Sequence, residues 1–478
     1  ANELMRDNSC LPSDFIYVID EAHHFASAIR DQLITQVGVK SFDDVFNFFK
    51  SEKDSWKKSA LTKFPGILKQ YQKLTEDSKI IRKELHAFFN SYYENKRDEI
   101  SRSDYHINKI LYRNSQEEFI DAEPTPWEVN TALKGFEKDL QKFGSSLQGE
   151  KEQIPASIMI EFNAVEGILK EGLESLNAAL DIQSELVQWS SFIQSDYQNL
   201  TSLNSAPLKV NSFINDNLLQ VYPGGVFCSA TLMVNDDFRY FGEKTGLALA
   251  ALDHNVNEKV YHSPFHYDDQ VKLFVFRSSM KLNDPLFMNE IGSQIENISK
   301  SLNRRMLVLC TSFKQTIALK NYLEPKLRNG NCQLFVQAPG ISRNILVRSY
   351  LDHPHSILIG TASFWEGVDF PGDKVEILYI VKTPFDNPFD PLIQAQIEDY
   401  KQRGDDAFSQ FQVPEAAMRF RQGFGRLIRN MSDTGICVVG DTRLLSKGYG
   451  GTILGSLPVD PIPYSNISTI IYESEKFL

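Results

Sequence analysis

Six short, nearly continuous apolar runs restrict the fold more than any other feature of the sequence. They are Val226-Phe227-Cys228-Ser229, Val271–Phe276, Met306–Cys310, Ser356–Gly360, Val375–Ile380 and Ile436–Gly440, with helix-forming stretches between them. A strand with one face in solvent alternates apolar and polar residues, whereas a strand buried on both faces does not. Such runs between helices predict an α/β, doubly wound fold with a parallel sheet covered on both sides. A seventh run, Phe15-Ile16-Tyr17-Val18-Ile19, has the same character but stands alone near the N-terminus. Its sheet partners are expected near Val226 and in sequence preceding residue 1.

From about Ser27 to Asn204 the pattern is different. Ile158, Phe162, Val165, Leu169, Leu173, Leu176 and Leu180 recur at steps of three or four, the period of one helix face. Ile67, Tyr71, Leu74, Ile81, Leu85, Phe88 and Tyr92 form a second stripe. These stripes predict a large all-helical insertion whose aromatic residues serve helix–helix packing.

At 478 residues the chain exceeds one hydrophobic core, and about three domains are expected. Its 42% hydrophobic and 23% charged residues are those of a globular protein. No apolar run approaches the roughly 20 residues that span a bilayer, so no membrane partner is expected. The start, Ala1–Arg6, has neither an initiator Met nor the pattern of a signal peptide. A fragment or processed product is expected. The net charge of −12 argues against coating nucleic acid by bulk charge, but leaves room for a local basic groove. The five cysteines are scattered without a C-x-x-C pair. Cys228, Cys310 and Cys437 lie in apolar runs and are expected as buried thiols, consistent with a cytoplasmic location. No metal or iron–sulfur site can be assembled from these five.

Asp20-Glu21-Ala22-His23 follows directly on the first apolar run. Adjacent carboxylates at the carboxyl end of a parallel strand suit a nucleotide-hydrolysing site. Asp20 would hold Mg²⁺ through its waters, and Glu21 would orient or deprotonate the attacking water. The same residues also suit a helix N-cap with favourable dipole interactions.

Ser229-Ala230-Thr231 closes the run at Val226 with two hydroxyls, able to bond the acidic pair or to cap the next helix. The string Gly360–Gly372 combines hydroxyls, Trp365, carboxylates and glycines in a loop suited to lie between a nucleotide and a nucleic-acid backbone. Trp365 could stack on a base, although burial beneath the loop is the commoner fate. In Gln422-Gly423-Phe424-Gly425-Arg426-Leu427-Ile428-Arg429 the arginines are three apart, so on a helix both would project from one face. Arginine stabilises charge on a transferred phosphoryl group; the bland alternative is a surface pair bridged to acids such as Glu415. No G-x-x-x-x-G-K-[ST] phosphate loop occurs. Gly242-Glu243-Lys244-Thr245-Gly246 has Glu where glycine must precede Lys, and it follows no apolar strand.

Together these strings resemble superfamily 2 helicases of the DinG and YoaA branch, relatives of XPD. Ser263-Pro264-Phe265, Leu309–Phe313, Lys382–Phe385 and Asp441-Thr442-Arg443 with Tyr449-Gly450 extend the resemblance over nearly the whole chain. It implies RecA-like motor domains, ATP and Mg²⁺ as cofactors, and translocation on single-stranded DNA with unwinding of a duplex or fork, 5′ to 3′. The implied division is a partial first RecA-like domain at 1–26 and 206–234, an Arch-like insertion at 27–205, and a second RecA-like domain at 235–478. The implied catalytic set is Asp20, Glu21, His23, Gln422, Arg426 and Arg429, with Asp20 and Glu21 serving the metal. Gly367, Asp369, Ser229 and Thr231 would line the nucleotide cleft, and Thr311, Ser312, Thr361 and Ser363 would contact DNA phosphates, with Trp365 beside them. The family's phosphate loop and iron–sulfur domain precede the acidic pair. An N-terminal part of the same helicase is therefore an expected partner, and any cluster would belong there.

Overall fold

The computed structural model describes residues 14–50, 55–101, 107–181, 185–193, 200–234, 237–328, 330–365 and 375–478. In chain order its strands are β1 (Ile16–Ile19), β2 (Thr35–Gly38), β3 (Ile107–Tyr112), β4 (Leu186–Ile193), β5 (Leu200–Pro207), β6 (Gly224–Phe227), β7 (Val271–Phe276), β8 (Met306–Leu309), β9 (Gln333–Val336), β10 (Ser356–Gly360), β11 (Ile377–Ile380), β12 (Gly435–Val439) and β13 (Pro461–Tyr464). Two compact units emerge. One comprises Ser27–Val210 with Phe389–Ala395. The other comprises Asn211–Pro388 and Gln396–Leu478 with the described part of Asp7–Ala26.

The second unit is built on a parallel sheet of order β13-β7-β12-β11-β8-β10-β9. Alternate residues of each strand enter different cores. Leu307, Leu309, Leu378 and Ile380 pack with Phe420 and Phe424 on one side, while Met306, Val308, Ile377 and Tyr379 pack with Ile291 and Ile295 on the other. Burial on both faces is what removed alternation from the sequence, and the α/β expectation holds. The apolar runs did not announce β9 and β13. Both are edge strands. β9 is only half-buried, and β13 carries Pro461 and Pro463, which an edge tolerates because prolines donate no ladder hydrogen bond.

In the same unit β1 pairs in parallel with β6, Ile16 opposite Gly224 and Ile19 opposite Phe227. This two-stranded sheet leaves Ile16 70%, Val18 68% and Val226 51% exposed.

The first unit contains α1 (Pro65–Ser101), α2 (Pro126–Gly149) and α3 (Ala156–Leu180). Both stripes read from the sequence are buried in one core, where Tyr71, Phe49, Phe136 and Phe143 pack ring against ring. Thr125 and Glu128 form a reciprocal capping box that starts α2, with Pro126 in its first turn. The unit is not helical throughout. An antiparallel sheet of order β2-β5-β4-β3 accompanies the helices. Its strands are rich in buried Ser, Thr, Asn and Gln rather than valine and isoleucine. Asn204 donates to Ser191 Oγ (3.0 Å) and Gln36 to Ser202 Oγ (2.8 Å), so polar side chains satisfy one another across strands. Among the described residues no helix is long and apolar enough to cross a membrane.

Two glycines of α3 give opposite expectations. A Cβ on Gly172 would lie 2.5 Å from Phe42 Cε1, and Phe42 is fully buried. Gly172→Ala should lower the thermal midpoint, because overpacking costs about 1–3 kcal/mol against a helix-propensity gain of roughly 1 kcal/mol. A Cβ on Gly167 meets nothing within 4 Å, so Gly167→Ala should raise the midpoint. Equal shifts in thermal scans of the two variants would contradict this packing.

Candidate functional site

The carboxyl ends of β1 and β6 are tied into a single turn. Cys228 N–H donates to Ile19 O and Ala22 N–H to Cys228 O, both at 3.0 Å. Between them Glu21 takes φ 49°, a left-handed backbone uncommon outside glycine. Asp20 Oδ1 accepts the Glu21 N–H (2.9 Å) and the Cys228 thiol (3.6 Å). Partial desolvation, then the carboxylates of Asp20 and Glu21, hold that thiol above its usual pKa, so it stays protonated and donates. Cys228 is half-buried rather than buried as expected, whereas Cys310 and Cys437 are fully enclosed.

From this turn a line of hydrogen bonds leads to a distant helix. Ser229 Oγ donates to Glu21 Oε2 (3.1 Å) and meets His23 Nδ1 at 2.8 Å. Ser229 has one proton, so donation to Glu21 requires His23 Nδ1 to donate to Ser229. Thr231 N–H also donates to Ser229 Oγ (3.3 Å), and Gln422 Nε2 donates to Thr231 Oγ1 (3.0 Å). Gln422 Oε1 is buried without a hydrogen-bond partner among the described residues. Glu21, His23, Ser229 and Thr231 line one cavity with Gln422, Arg426 and Arg429, about 2530 Å³ in volume. Asp20 lies at its margin, outside the lining residues, with its carboxylate exposed.

The arginines do not share a helix face as the spacing suggested. The helix α4 (Val413–Phe424) ends before both. Arg426 N–H and Leu427 N–H close i−3 turns onto Gly423 and Phe424. Asp433 Oδ2 then captures the N–H groups of Arg429 and Asn430, each at 2.8 Å. Gln270 Nε2 braces the same loop by donating to the carbonyls of Asn430, Met431 and Asp433. Burial draws the half-buried Arg429 guanidinium below its usual pKa, opposed by Asp433. Glu415 pairs with Lys244 and Arg419 instead of with these arginines.

Trp365 is 3% exposed. Its indole N–H donates to Cys310 O (3.0 Å) and its carbonyl accepts from Arg426 Nε (2.9 Å). The ring leaves no room for a Cβ on Gly423. Its face is therefore closed to a base, and the stacking expectation gives way to burial.

Thr311 and Ser312 follow β8, Thr361 and Ser363 follow β10, and these strands are neighbours. All four hydroxyl residues thus gather at one sheet edge. Each pair is braced by a glutamine that sequence reasoning missed. Gln315 Oε1 accepts from Thr311 N and Oγ1 (2.9 and 3.3 Å), while Ser312 caps the helix Phe313–Leu327. Gln337 Oε1 accepts from Thr361 N and Oγ1 (2.7 and 3.0 Å), and its Nε2 donates to Ser363 Oγ (2.9 Å). Gln315 could have been found as the third residue after a capping serine; Gln337 is 24 residues from its partner and has no local signal. Gly367 and Asp369 lie outside the described residues.

Among the described residues no three His, Cys, Asp or Glu side chains are grouped to cage a metal. Magnesium does not require a cage. It keeps several waters and binds through one or two carboxylates and the substrate phosphates. The exposed carboxylates of Asp20 and Glu21 are hard oxygen donors of that kind, so the residues present fit Mg²⁺.

A parallel strand pair ending in an acidic turn is thus joined by hydrogen bonds to a glutamine–arginine segment. Residues 295–460 match the helicase C-terminal domain family. The ATP-dependent DNA helicase YoaA of Haemophilus influenzae is 35% identical over 256 residues, 54% of this chain and 38% of that protein. The 3′-5′ exonuclease DinG of Bacillus subtilis is 27% identical over 472 residues, 95% of this chain and 50% of that protein. The structure of S. tokodaii Xpd4 shares the fold, with a TM-score of 0.53 at 13% identity, covering 97% of this chain and 79% of that one. The chain is thus similar in sequence to helicases of the DinG and YoaA type, and shares its fold with the Xpd4 structure. It spans 38% to 50% of the length of these two curated relatives.

Trp365→Phe removes one buried hydrogen bond, and the orphaned Cys310 carbonyl should cost about 1–3 kcal/mol in stability. Single-stranded DNA affinity should stay within about twofold of the parent, since base–aromatic stacking would itself contribute roughly 1–3 kcal/mol. A large affinity loss in a fluorescence-anisotropy titration, with the thermal midpoint unchanged, would restore the stacking role.

Proposed function

We propose that this chain is part of an ATP-dependent DNA helicase that couples ATP hydrolysis to translocation on single-stranded DNA and unwinding of a duplex. The observation that carries this reading is the hydrogen-bonded line Glu21–Ser229–Thr231–Gln422, which ties the acidic turn to the segment bearing Arg426 and Arg429. Asp20 would hold Mg²⁺ through water, and Glu21, 66% exposed at its side chain, would take the proton of the attacking water. Bound Mg²⁺ supplies neutralisation of charge on the transferring phosphates. His23 fixes Ser229, and Ser229 fixes the Glu21 carboxylate. Arg426 and Arg429 would stabilise charge on the terminal phosphate.

Thr311, Ser312, Thr361 and Ser363 would contact the phosphates of the tracked strand. Residues 1–26 with 206–234 would form part of a first RecA-like domain, 235–478 the second, and 27–205 the Arch-like insertion. The 5′-to-3′ polarity and a role in repair or replication follow from the family resemblance alone. The exposed Ile16, Val18 and Val226 support a first domain completed by chain outside these residues, since two strands seldom hold a sheet alone. That additional chain would carry the phosphate loop and any iron–sulfur cluster.

The 3′-5′ exonuclease name of the Bacillus subtilis relative favours a second reading. In it, the motor-derived domains bind nucleic acid and regulate an N-terminal exonuclease without hydrolysing ATP themselves.

In the full-length protein, Glu21→Gln and Arg426→Ala should each reduce DNA-stimulated ATP hydrolysis by about 10²-fold or more, with single-stranded DNA affinity largely intact. Near-normal turnover by either variant would remove its assigned role. A parent protein that degrades DNA yet shows no DNA-stimulated ATPase would favour the second reading. The 478 residues alone should turn over ATP negligibly for want of a phosphate loop. Robust turnover by them, measured as phosphate release, would refute that account.

A further inference from the structure

The string Gly242–Gly246 is no phosphate loop, yet its lysine has a well-defined place. Tyr240 and Lys244 lie one turn apart on the helix Arg239–Thr245, which ends at Gly246 with φ 82°. Their spacing puts both on one face. Both reach the same oxygen. Tyr240 OH donates to Glu415 Oε1 at 2.5 Å and Lys244 Nζ lies 2.5 Å from it. On the far side Arg419 Nη2 stands 3.7 Å from Glu415 Oε2, while its guanidinium grips both carboxylate oxygens of Asp386 at 2.6 and 2.8 Å. Glu415 is 8% exposed. Burial pushes its pKa up, but Lys244 and Arg419 outweigh burial and bring it down to about 2. At neutral pH it is a charged group in a closed site.

Glu415 sits in the first turn of α4, where the helix N-terminus favours an anion. Gln422 follows two turns later, about 10 Å along the same helix face. The helix is therefore fastened at two points to the chain that follows β6. At one end Gln422 meets Thr231 through a single bond between neutral groups. At the other, a desolvated carboxylate is held by a cation and a phenol. None of Tyr240, Lys244 and Glu415 lines the cleft, so none can touch a nucleotide there.

We propose that Glu415, clamped by Lys244 and Tyr240, is a positioning residue that sets where Gln422 and Arg426 stand in the nucleotide cleft. The inference rests on the helicase reading above. Arg426 follows α4 by two residues, so a small rotation of that helix about the Thr231 contact displaces it. A buried ion pair suits this task because its geometry is narrowly defined, even where its net contribution to stability is small.

The test uses the full-length protein, with ATP turnover measured at saturating single-stranded DNA. Glu415→Gln and Lys244→Met should each lower kcat about tenfold or more, as misplacement remote from the chemistry does. KM for ATP should stay within about threefold, since the lost interaction matters chiefly in the transition state. Lys244→Arg, which keeps the cation, should recover most of what Lys244→Met loses, and DNA affinity should not change. A purely structural role predicts lowered thermal midpoints with normal kcat per folded molecule, and that result would overturn the proposal. Equal kcat for the Met and Arg variants would overturn it too. If Glu415→Gln fails to fold, Lys244→Met and Tyr240→Phe carry the test, because both alter the partners and leave the buried carboxylate in place. A parent protein without DNA-stimulated turnover would defeat the helicase reading. Normal turnover in the parent and all variants would defeat the anchor alone.

Discussion

One hydrogen bond, from Gln422 to Thr231 across 191 residues of sequence, decides whether the remaining features form a site. Without it the acidic turn after β1 and the arginines after α4 are two unrelated surface strings. With it, four polar side chains form a continuous line. Each member has its donors and acceptors assigned by the next: Glu21 accepts from Ser229, Ser229 accepts from His23 and Thr231, and Thr231 accepts from Gln422. The line connects Glu21 to Gln422 through two short residues, Ser229 and Thr231, with the Thr231 backbone N–H as one link. The line is neutral apart from its carboxylate end, so it neither competes with a phosphate nor attracts one.

The sheet explains why such a line can exist. Parallel strands deliver their carboxyl ends, and the loops that follow, to one edge. The exits of β8 and β10 bring Thr311 and Thr361 together. Those of β11 and β12 bring Thr383 to Asp441, whose carboxylate accepts from Thr383 N and Oγ1 and pairs with Arg443. Strands buried on both faces hold these exits rigidly, and the rigidity comes from hydrophobic packing rather than from the polar groups themselves.

That division of labour sets what was legible in the sequence. The central strands could be read because double burial leaves an unbroken apolar run. The helix stripes through Ile158–Leu180 and Ile67–Tyr92 could be read because single-sided burial leaves a period. β9 and β13 could not, since edge strands escape both constraints. The antiparallel sheet of β2–β5 was hidden because its buried positions are filled by Ser191, Ser202 and Asn204, whose mutual hydrogen bonds replace the apolar signal. Short strings singled out Glu21, His23, Gln422 and Arg426, which line one cavity. The end of α4 before Arg426 was not legible. It depends on Asp433 capturing two backbone N–H groups from a position that carries no helix-breaking residue. Trp365 could be read either way from its loop, and only the partners of its indole N–H and carbonyl decided for burial.

The residues missed share a chemical type. Gln270, Gln315 and Gln337 each hold a loop at a strand end, as Gln422, singled out from its string, does for the cleft. A glutamine carries an acceptor and two donors on a flexible stem, so one side chain can bind a backbone N–H and a hydroxyl together, as Gln337 does at Thr361. A lysine or glutamate in the same place would bring a charge needing its own partner in a partly buried position. It would also alter the field at an edge expected to receive polyanions. Neutral braces hold hydroxyls and arginines in place while leaving the charge of the site to Asp20, Glu21, Arg426 and Arg429. The carboxylates this unit buries are each held by several partners: Glu415 by Lys244, Tyr240 and Arg419, Asp441 by Arg443 and Thr383, and Asp433 by the backbone N–H groups of Arg429 and Asn430. Buried carboxylates thus fix backbone and helix positions, while neutral glutamines orient the hydroxyls at the strand exits.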